Sequence, residues 1–210
     1  MMKSSEEFIF YWDSLISSWA ESGTLPETEN VWREHFGNKL KAEIIPEPYW
    51  GNPNKNSVVI LNYNPATDST VKIDDLGHYK NKGYQSISKI MSPKYSSYAS
   101  KFPILDKNPD CPFACAAGRT WWLKRNEWFK RLIPESNNKP FALELCAWHS
   151  PKWNYIGGGK VGEKVLEYIS AHIIPVYKEA IKNSDLKIGL SIGKEIGDIL
   201  IKEGKLWRIN

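Results

Sequence analysis

The chain has 210 residues, of which 41% are hydrophobic and 25% charged, an ordinary composition for a globular protein in water. Its formal net charge of +4 at pH 7 permits nucleic-acid binding but is below that of strongly basic binders. The first residues do not read as a signal peptide, no stretch reaches the ~20 apolar residues of a membrane span, and three cysteines argue against a disulfide framework.

We therefore expect a cytoplasmic protein with no membrane partner, built as a single domain over residues 1–210. Its N-terminal segment, residues 1–45, is predicted to be helical. Ser4 and Glu7 form a capping-box pattern that opens a stretch with apolar residues at helical spacing. A second helix is predicted over about residues 27–40.

Three short apolar stretches predict buried strands: residues 58–61, 141–147 and 186–193. They show little alternation, which is typical of strands covered on both faces in a parallel sheet. A long helix is predicted over residues 162–183, with Pro175 kinking it. Strands separated by helices indicate the α/β class, and we predict a three-layer α/β/α sandwich around a short, mainly parallel sheet.

The remaining stretches carry weaker patterns. The ten tryptophans and ten tyrosines are expected either to fill the core or to supply stacking surfaces for bases or sugars. The other predicted elements are a loop at 46–56, an interrupted helix at 83–100 and an irregular stretch at 102–118. They are followed by a basic amphipathic helix at 119–133, a further helix at 194–204 and a fourth strand at 206–210.

Polar residues follow the first predicted strand, at the edge where open α/β sheets bind ligands. The strand runs into Asn62, Tyr63, Asn64 and Pro65. Pro65 restricts the backbone of Asn64, and the Asn64 amide can both donate and accept hydrogen bonds. It is therefore a candidate to orient a water or to read an amide-like edge. The alternative is an Asx-type turn that only ends the strand.

The second predicted strand contains an acid and is followed by a histidine. Glu144 lies in an otherwise apolar stretch, where a carboxylate is costly unless it is paired or hydrogen-bonded. His149 and Ser150 come directly after the strand. A histidine at this place is a candidate general acid or base, or a stabiliser of a developing anion. A purely structural histidine is the alternative.

A glycine-rich loop precedes the long helix. Gly158 and its neighbours allow close backbone approach, and Lys160 with the first N–H groups of the helix favours a phosphate. The spacing of a nucleotide-binding P-loop is absent. Together with Lys152, this loop is predicted to contact a nucleic-acid backbone, and a flexible connector is the alternative.

The cysteines do not predict a metal site. Cys111, Cys115 and Cys146 lack the paired spacing of zinc or iron–sulfur sites. They are expected to behave as small buried apolar residues. The sequence therefore predicts neither a metal nor a cofactor.

The first strand exit resembles a motif of the uracil-DNA glycosylase superfamily. The mismatch-specific and single-strand-selective branches carry G-[IVLM]-N-P-G at the end of the first strand, and this chain has N-Y-N-P-A at residues 62–66. The Asn64-Pro65 core matches, whereas Asn62 and Ala66 replace both glycines. The likeness extends over about residues 45–205. It implies a three-layer α/β/α fold and hydrolysis of the N-glycosidic bond of a damaged or modified base in DNA, without a cofactor.

The resemblance also implies roles for the candidate residues. Asn64 would orient the attacking water. His149, one strand earlier than the family's histidine, would substitute for it and stabilise the departing base. An aromatic ring, Phe113 or Tyr63, would stack on that base. The other residues that the resemblance places at the substrate are Asn62, Pro65, Glu144 and Ser150.

Two further functions stay open from the sequence. The family's His-containing segment after the last strand has no counterpart after Gly193, and the only His-Ser-Pro stretch begins at His149. This favours a catalytically inactive, nucleic-acid-binding relative. A small-nucleotide hydrolase that uses His149 and Glu144 is the other alternative. For the glycosylase and for the inactive relative, we expect a monomer that binds DNA.

Overall fold

A computed structural model describes residues 4–56, 58–65, 131, 140–151 and 162–191. No helix within these ranges is long and apolar enough to cross a membrane. Several predicted elements lie outside the described residues, wholly or, for the basic helix, in all but Arg131: those at 83–100, 102–118, 119–133, 194–204 and 206–210.

The first helix follows the predicted pattern. Helix α1 spans Ser5–Ser22, and the Ser4 hydroxyl accepts the Glu7 N–H at 3.1 Å, as an N-cap residue does. Gly23 ends the helix in the left-handed region, with φ at 65°. The buried face carries the spaced apolar residues Phe8, Trp12, Leu15, Ile16 and Trp19. The predicted start, end and buried face of this helix are confirmed.

The second predicted helix, residues 27–40, is not continuous. It consists of a 3-10 turn at Glu27–Glu29, helix α2 at Asn30–Phe36 and a second 3-10 turn at Gly37–Lys39. Gly37 has φ of 56° and ψ of −135°, a conformation that no α-helix contains. The single long helix was therefore wrong, because this glycine breaks the hydrogen-bond ladder.

The long predicted helix over residues 162–183 is present and contains a π-helical turn just before Pro175. Helix α3 covers Glu163–Tyr168, one π-helical turn covers Ile169–Ile173, and helix α4 covers Ile174–Asn183. Pro175 has no N–H to donate, and its ring crowds the carbonyl four residues earlier. The wider π turn directly before it accommodates both effects.

The sheet has four described strands: β1 at Tyr49–Trp50, β2 at Val58–Asn62, β3 at Pro140–Glu144 and β4 at Gly189–Ser191. Their order is β1-β3-β2-β4, with β2 parallel to both β3 and β4, and β1 antiparallel to β3. The α/β class is confirmed, with a small mixed sheet.

The strand boundaries differ from those predicted. Strand β3 ends at Glu144 rather than at 147, and β4 begins at Gly189 rather than at Leu186. Strand β1 lies inside residues 46–56, which the turn-rich sequence predicts as a loop. It forms because Tyr49 and Trp50 pair with Leu143 and Ala142 of β3, a partner that the local sequence does not reveal.

The strand order places the carboxyl end of β2 at the point where the direction of strand addition reverses. Along the chain, β3 is added on one side of β2 and β4 later on the other side. In open α/β sheets, ligands bind outside the carboxyl ends of the strands where the order reverses in this way. The segment after β2, which begins at Tyr63, lies at that position.

The described tryptophans belong to the core. Trp12, Trp19, Trp32, Trp50 and Trp148 are each at most 1% exposed. Trp12 packs on Trp148 with ring centroids 6.2 Å apart, which links α1 to the segment after β3. For these five residues, the core interpretation is confirmed and the stacking-surface interpretation is wrong.

A buried carboxyl group joins three parts of this core. Glu29 is fully buried. Its Oε1 accepts hydrogen bonds from the hydroxyls of Tyr11 at 2.5 Å and Tyr168 at 2.7 Å, and its Oε2 accepts from Nε1 of Trp148 at 3.1 Å. Burial raises the pKa of Glu29, and these hydrogen bonds oppose the rise. One side chain thus ties α1, α3 and the segment after β3 together.

Replacing Gly51 with alanine should destabilise the protein. Gly51 has φ of 93°, and a Cβ there would lie 2.5 Å from the carbonyl oxygen of Pro140. We expect the free energy of unfolding in urea to fall by about 2–3 kcal/mol, because backbone strain and a steric clash add. Gly37→Ala is the matched control, since Gly37 also has positive φ but no atom within 4 Å of its Cβ position. With φ of 56° and ψ of −135°, Gly37→Ala carries backbone strain without the clash and should lose less than Gly51→Ala. Equal losses would contradict the close-packing argument.

Replacing Glu29 with methionine should remove the acceptors and keep most of the volume. Each buried donor left without an acceptor costs about 1–3 kcal/mol, so we expect a total loss of about 3 kcal/mol or more in chemical unfolding. Glu27→Met is the control, because Glu27 lies in the same turn but is exposed. Similar losses in both variants would show that the Glu29 contacts contribute little.

Candidate functional site

The chain segments that follow β2 and β3 are hydrogen-bonded to each other. The carbonyl of Tyr63 accepts from the N–H of Cys146 at 2.9 Å, and the carbonyl of Pro65 accepts from the N–H of Ser150 at 3.3 Å. These bonds hold the two segments together beyond the last strand pair, Asn62 and Glu144. Two groups of residues that lie far apart in the sequence are thereby brought together at the carboxyl edge of the sheet.

Asn62 and Glu144 form a direct buried contact. They are paired in the β2–β3 register, and Nδ2 of Asn62 donates to Oε1 of Glu144 at 2.8 Å. The residues are 5% and 6% exposed. Burial raises the pKa of Glu144 well above its usual range, the hydrogen bond from Asn62 opposes this, and the negative charge of Glu47 adds to it. The environment therefore favours the un-ionised acid.

Each member of this pair has one oxygen left over. Within the described ranges, neither Oδ1 of Asn62 nor Oε2 of Glu144 has a hydrogen-bond partner, although both atoms are buried. An amide oxygen accepts, and the second oxygen of an un-ionised carboxyl group can donate. Buried polar atoms in this state require a partner. The pair thus offers one acceptor and one donor, and a nucleobase edge carries the complementary donor and acceptor on one planar group.

The Asn64 amide is held in one orientation. Its Nδ2 lies 3.0 Å from the carbonyl oxygen of Pro65, 3.3 Å from the carbonyl oxygen of Ser150 and 3.0 Å from the Ser150 hydroxyl. Backbone carbonyls only accept hydrogen bonds, so the NH₂ group must be the one that faces them. The Asn64 NH₂ group thus makes local hydrogen bonds that fix the amide. They are not those of an Asx-type turn, in which Oδ1 would accept a backbone N–H.

That oxygen is the available part of Asn64. The residue is half-buried, and no described group donates a hydrogen bond to its Oδ1. An amide oxygen in a defined position can accept a hydrogen bond from a water and so orient it. The local hydrogen bonds and the water-orienting role therefore use opposite ends of the same amide.

His149 is buried against the N-terminal segment. Its Nε2 lies 3.1 Å from the carbonyl oxygen of Ile45 and 3.3 Å from Oε1 of Glu47. Because a carbonyl only accepts, Nε2 must carry a hydrogen. The backbone there runs antiparallel to residues 41–47, with the Lys41 N–H donating to the His149 carbonyl at 2.8 Å. Both contacts of Nε2 are with the protein itself, as expected if this histidine has a structural role.

Glu47 is a site residue that the sequence did not single out. It lies in the stretch predicted as a loop, between two prolines and before the Tyr49–Trp50 strand. Its contact with His149 and its electrostatic effect on Glu144 depend on the pairing of residues 41–50 with β3 and the segment after it. The only local signal is an acid placed next to an aromatic pair, which is too common to identify a site.

The remaining predicted site residues fall into two groups. Tyr63 is half-buried, whereas Pro65 and Ser150 are buried. The other four lie outside the described residues: Phe113, Lys152, Gly158 and Lys160. Within the ranges that the structure covers, no three His, Cys, Asp or Glu side chains are grouped to hold a metal ion.

A described cavity lies away from these residues. It has a volume of about 330 Å³ and opens between α2 and α3. Its walls include Glu34, Lys164 and His172, and burial lowers the pKa of His172. None of the predicted site residues is part of its lining.

Comparisons of the chain with protein-family models, with curated proteins and with solved structures gave no match. The relationship to the uracil-DNA glycosylase superfamily thus rests on the Asn64-Pro65 motif and its position after β2, and it stays a prediction.

Glu144 should make stability depend on pH. Its pKa is raised in the folded protein, so its contribution to stability is complete below the unfolded pKa of about 4.3 and is lost as pH rises through the folded pKa. Glu144→Gln removes this ionisation. We expect the free energy of unfolding, measured in urea between pH 4 and 9, to decline less with rising pH in the variant. Parallel curves for the two proteins would show that Glu144 does not titrate differently on folding.

Proposed function

We propose that the protein hydrolyses the N-glycosidic bond of a damaged or modified base in DNA, at the carboxyl edge of β2 and β3. The observation that carries this proposal is the oriented amide of Asn64, whose Nδ2 is anchored on Ser150 while Oδ1 is left to hold a water. The resemblance of the Asn64-Pro65 motif to the uracil-DNA glycosylase superfamily supports the same role.

Base recognition in this proposal uses the Asn62–Glu144 pair. The target nucleotide is turned out of the duplex, since its sugar is otherwise inaccessible. The acceptor Oδ1 of Asn62 and the donor Oε2 of un-ionised Glu144 bind one edge of the base. The base departs as an anion, and a hydrogen bond that strengthens as charge develops lowers the barrier.

The proposal extends to architecture and partners. It includes the three-layer α/β/α arrangement, a monomer in the cytoplasm, and no cofactor. DNA is the proposed partner. Its backbone is held by Gly158 and Lys160 of the glycine-rich loop together with Lys152. The mild positive charge of the chain, +4, is sufficient for salt-dependent backbone contacts.

A nucleic-acid-binding relative without catalysis is the second candidate. The engagement of His149 Nε2 by Ile45 and Glu47 favours it, because that nitrogen is then not available to a departing base. The same contact weakens the case for a small-nucleotide hydrolase based on His149.

Asn64→Ala should abolish most of the cleavage of DNA. Oligonucleotides that contain uracil, hypoxanthine or xanthine would be incubated with the protein and treated with alkali, which breaks the strand where a base has been lost. Removing a preorganised polar group typically lowers a rate about 100–1000-fold, and we expect a loss of this size. Asn52→Ala is the control, because the Asn52 side chain also makes a local hydrogen bond to the backbone, as the acceptor from the Asn54 N–H, but lies outside the site.

The outcomes separate the two candidates. Cleavage by the wild type and the control but not by Asn64→Ala supports the glycosylase. Salt-sensitive DNA binding without cleavage of any substrate supports the inactive relative. Cleavage that is unchanged in Asn64→Ala would show that another group orients the water.

A further inference from the structure

Glu47 stands between the N-terminal segment and the candidate site. Its backbone N–H donates to the carbonyl of Ala147 at 2.8 Å, so the residue is paired with the chain just after β3. Its side chain is 13% exposed. A largely buried carboxylate is costly unless its oxygens are hydrogen-bonded.

Each oxygen of Glu47 has its own aromatic partner. Oε1 lies 3.3 Å from Nε2 of His149, and Oε2 accepts from Nε1 of Trp50 at 3.2 Å. Trp50 is fully buried in β1, so its indole N–H has a fixed direction. A carboxylate held on that indole presents its other oxygen in one direction only. The imidazole of His149 is therefore held by a carboxylate that a buried residue of β1 fixes in position.

We propose that Glu47 is a positioning residue of this site, whose carboxylate is fixed by Trp50 and holds His149 with Nε2 turned toward Glu47 and Ile45. Nε2 is then occupied and does not serve a departing base. The inference deepens the proposed function and rests on it only in that respect.

A second effect of Glu47 supports the assignment. Burial is the main cause of the raised pKa of Glu144, and the charge of Glu47 adds to it, against the hydrogen bond from Asn62. Glu144 and Cys146 also interact electrostatically. Two neighbouring carboxyl groups are more stable with one negative charge between them than with one on each, because like charges repel. Glu47 pairs with the imidazole, and Glu144 stays a hydrogen-bond donor.

The contrasting possibility is that Glu47 only fastens residues 41–50 to the segment after β3. Both roles predict some loss of stability when Glu47 is changed, so stability alone does not separate them. Two other properties do: the protection of the His149 Nε2–H proton from exchange with water, and the pH dependence of the free energy of unfolding.

The test compares Glu47→Gln, Glu47→Asp and the control Glu43→Gln in the full chain without ligand. Glu43 belongs to the same segment but is exposed and paired only with Lys41 at 3.7 Å. The His149 proton is assigned by its loss in His149→Asn and followed by ¹H–¹⁵N NMR. The pH dependence is followed by urea unfolding between pH 4 and 9.

Each variant has a distinct expected result. Glu47→Gln should speed exchange of the Nε2–H proton at least about tenfold, the equivalent of about 1.4 kcal/mol in protection. It should also make the free energy of unfolding decline less with rising pH. The charge of Glu47, which helps to raise the pKa of Glu144, is absent in this variant. Glu47→Asp keeps the charge but is one methylene shorter, so it should lose the proton protection and retain the pH dependence. Glu43→Gln should match the wild type in both.

An exchange rate and a pH dependence in Glu47→Gln equal to those of Glu43→Gln would overturn the proposal. It is equally overturned if Glu47→Asp and Glu47→Gln change both properties alike, since the charge and the reach would then not act separately. These readouts need no substrate. Failure of the glycosylase assay with the expected NMR result would therefore refute the proposed function and leave the positioning role intact.

Discussion

The parallel, in-register pairing of β2 with β3 is the constraint on which the candidate site depends. It sets Asn62 beside Glu144, and the segments that leave the two paired strand ends meet where Asn64 donates to Ser150. Strand side chains alternate between faces, so a shift of one residue would turn Asn62 away from Glu144. All five positions of each strand are buried. Core packing therefore resists such a shift, and the same packing that stabilises the sheet keeps the polar pair aligned.

Two buried carboxyl groups illustrate how burial serves different purposes in one protein. Burial raises the pKa of both Glu29 and Glu144. Glu29 is surrounded by donors from Tyr11, Tyr168 and Trp148, so its hydrogen-bonding capacity is used within the protein. Glu144 has one described partner and one oxygen without any. A satisfied acid stabilises a core, whereas an unsatisfied one costs free energy that a bound group can recover.

The sequence predicts well what local chemistry decides. Helix α1 follows from Ser4, Gly23 and the spacing of its apolar residues, all within one short stretch, and the departure from regular α-helix near Pro175 follows from one missing N–H. What it misses depends on distant partners. The role of Glu29 requires Trp148, 119 residues away, and β1 exists only because β3 lies beside it. The meeting of Asn62 with Glu144 was foreseeable as adjacent strand ends, but the occupation of His149 Nε2 was not.

The short antiparallel strand β1 also affects how this protein behaves in a crowded solution. A strand at the edge of a sheet can recruit strands from other molecules and so initiate aggregation. In the described sheet β1 is such an edge, yet it is only two residues long. Pro48, directly before it, has no N–H to offer, and Gly51 directly after it turns the chain with positive φ. The fully buried strand β3 is thus covered by a neighbour too short to act as a template.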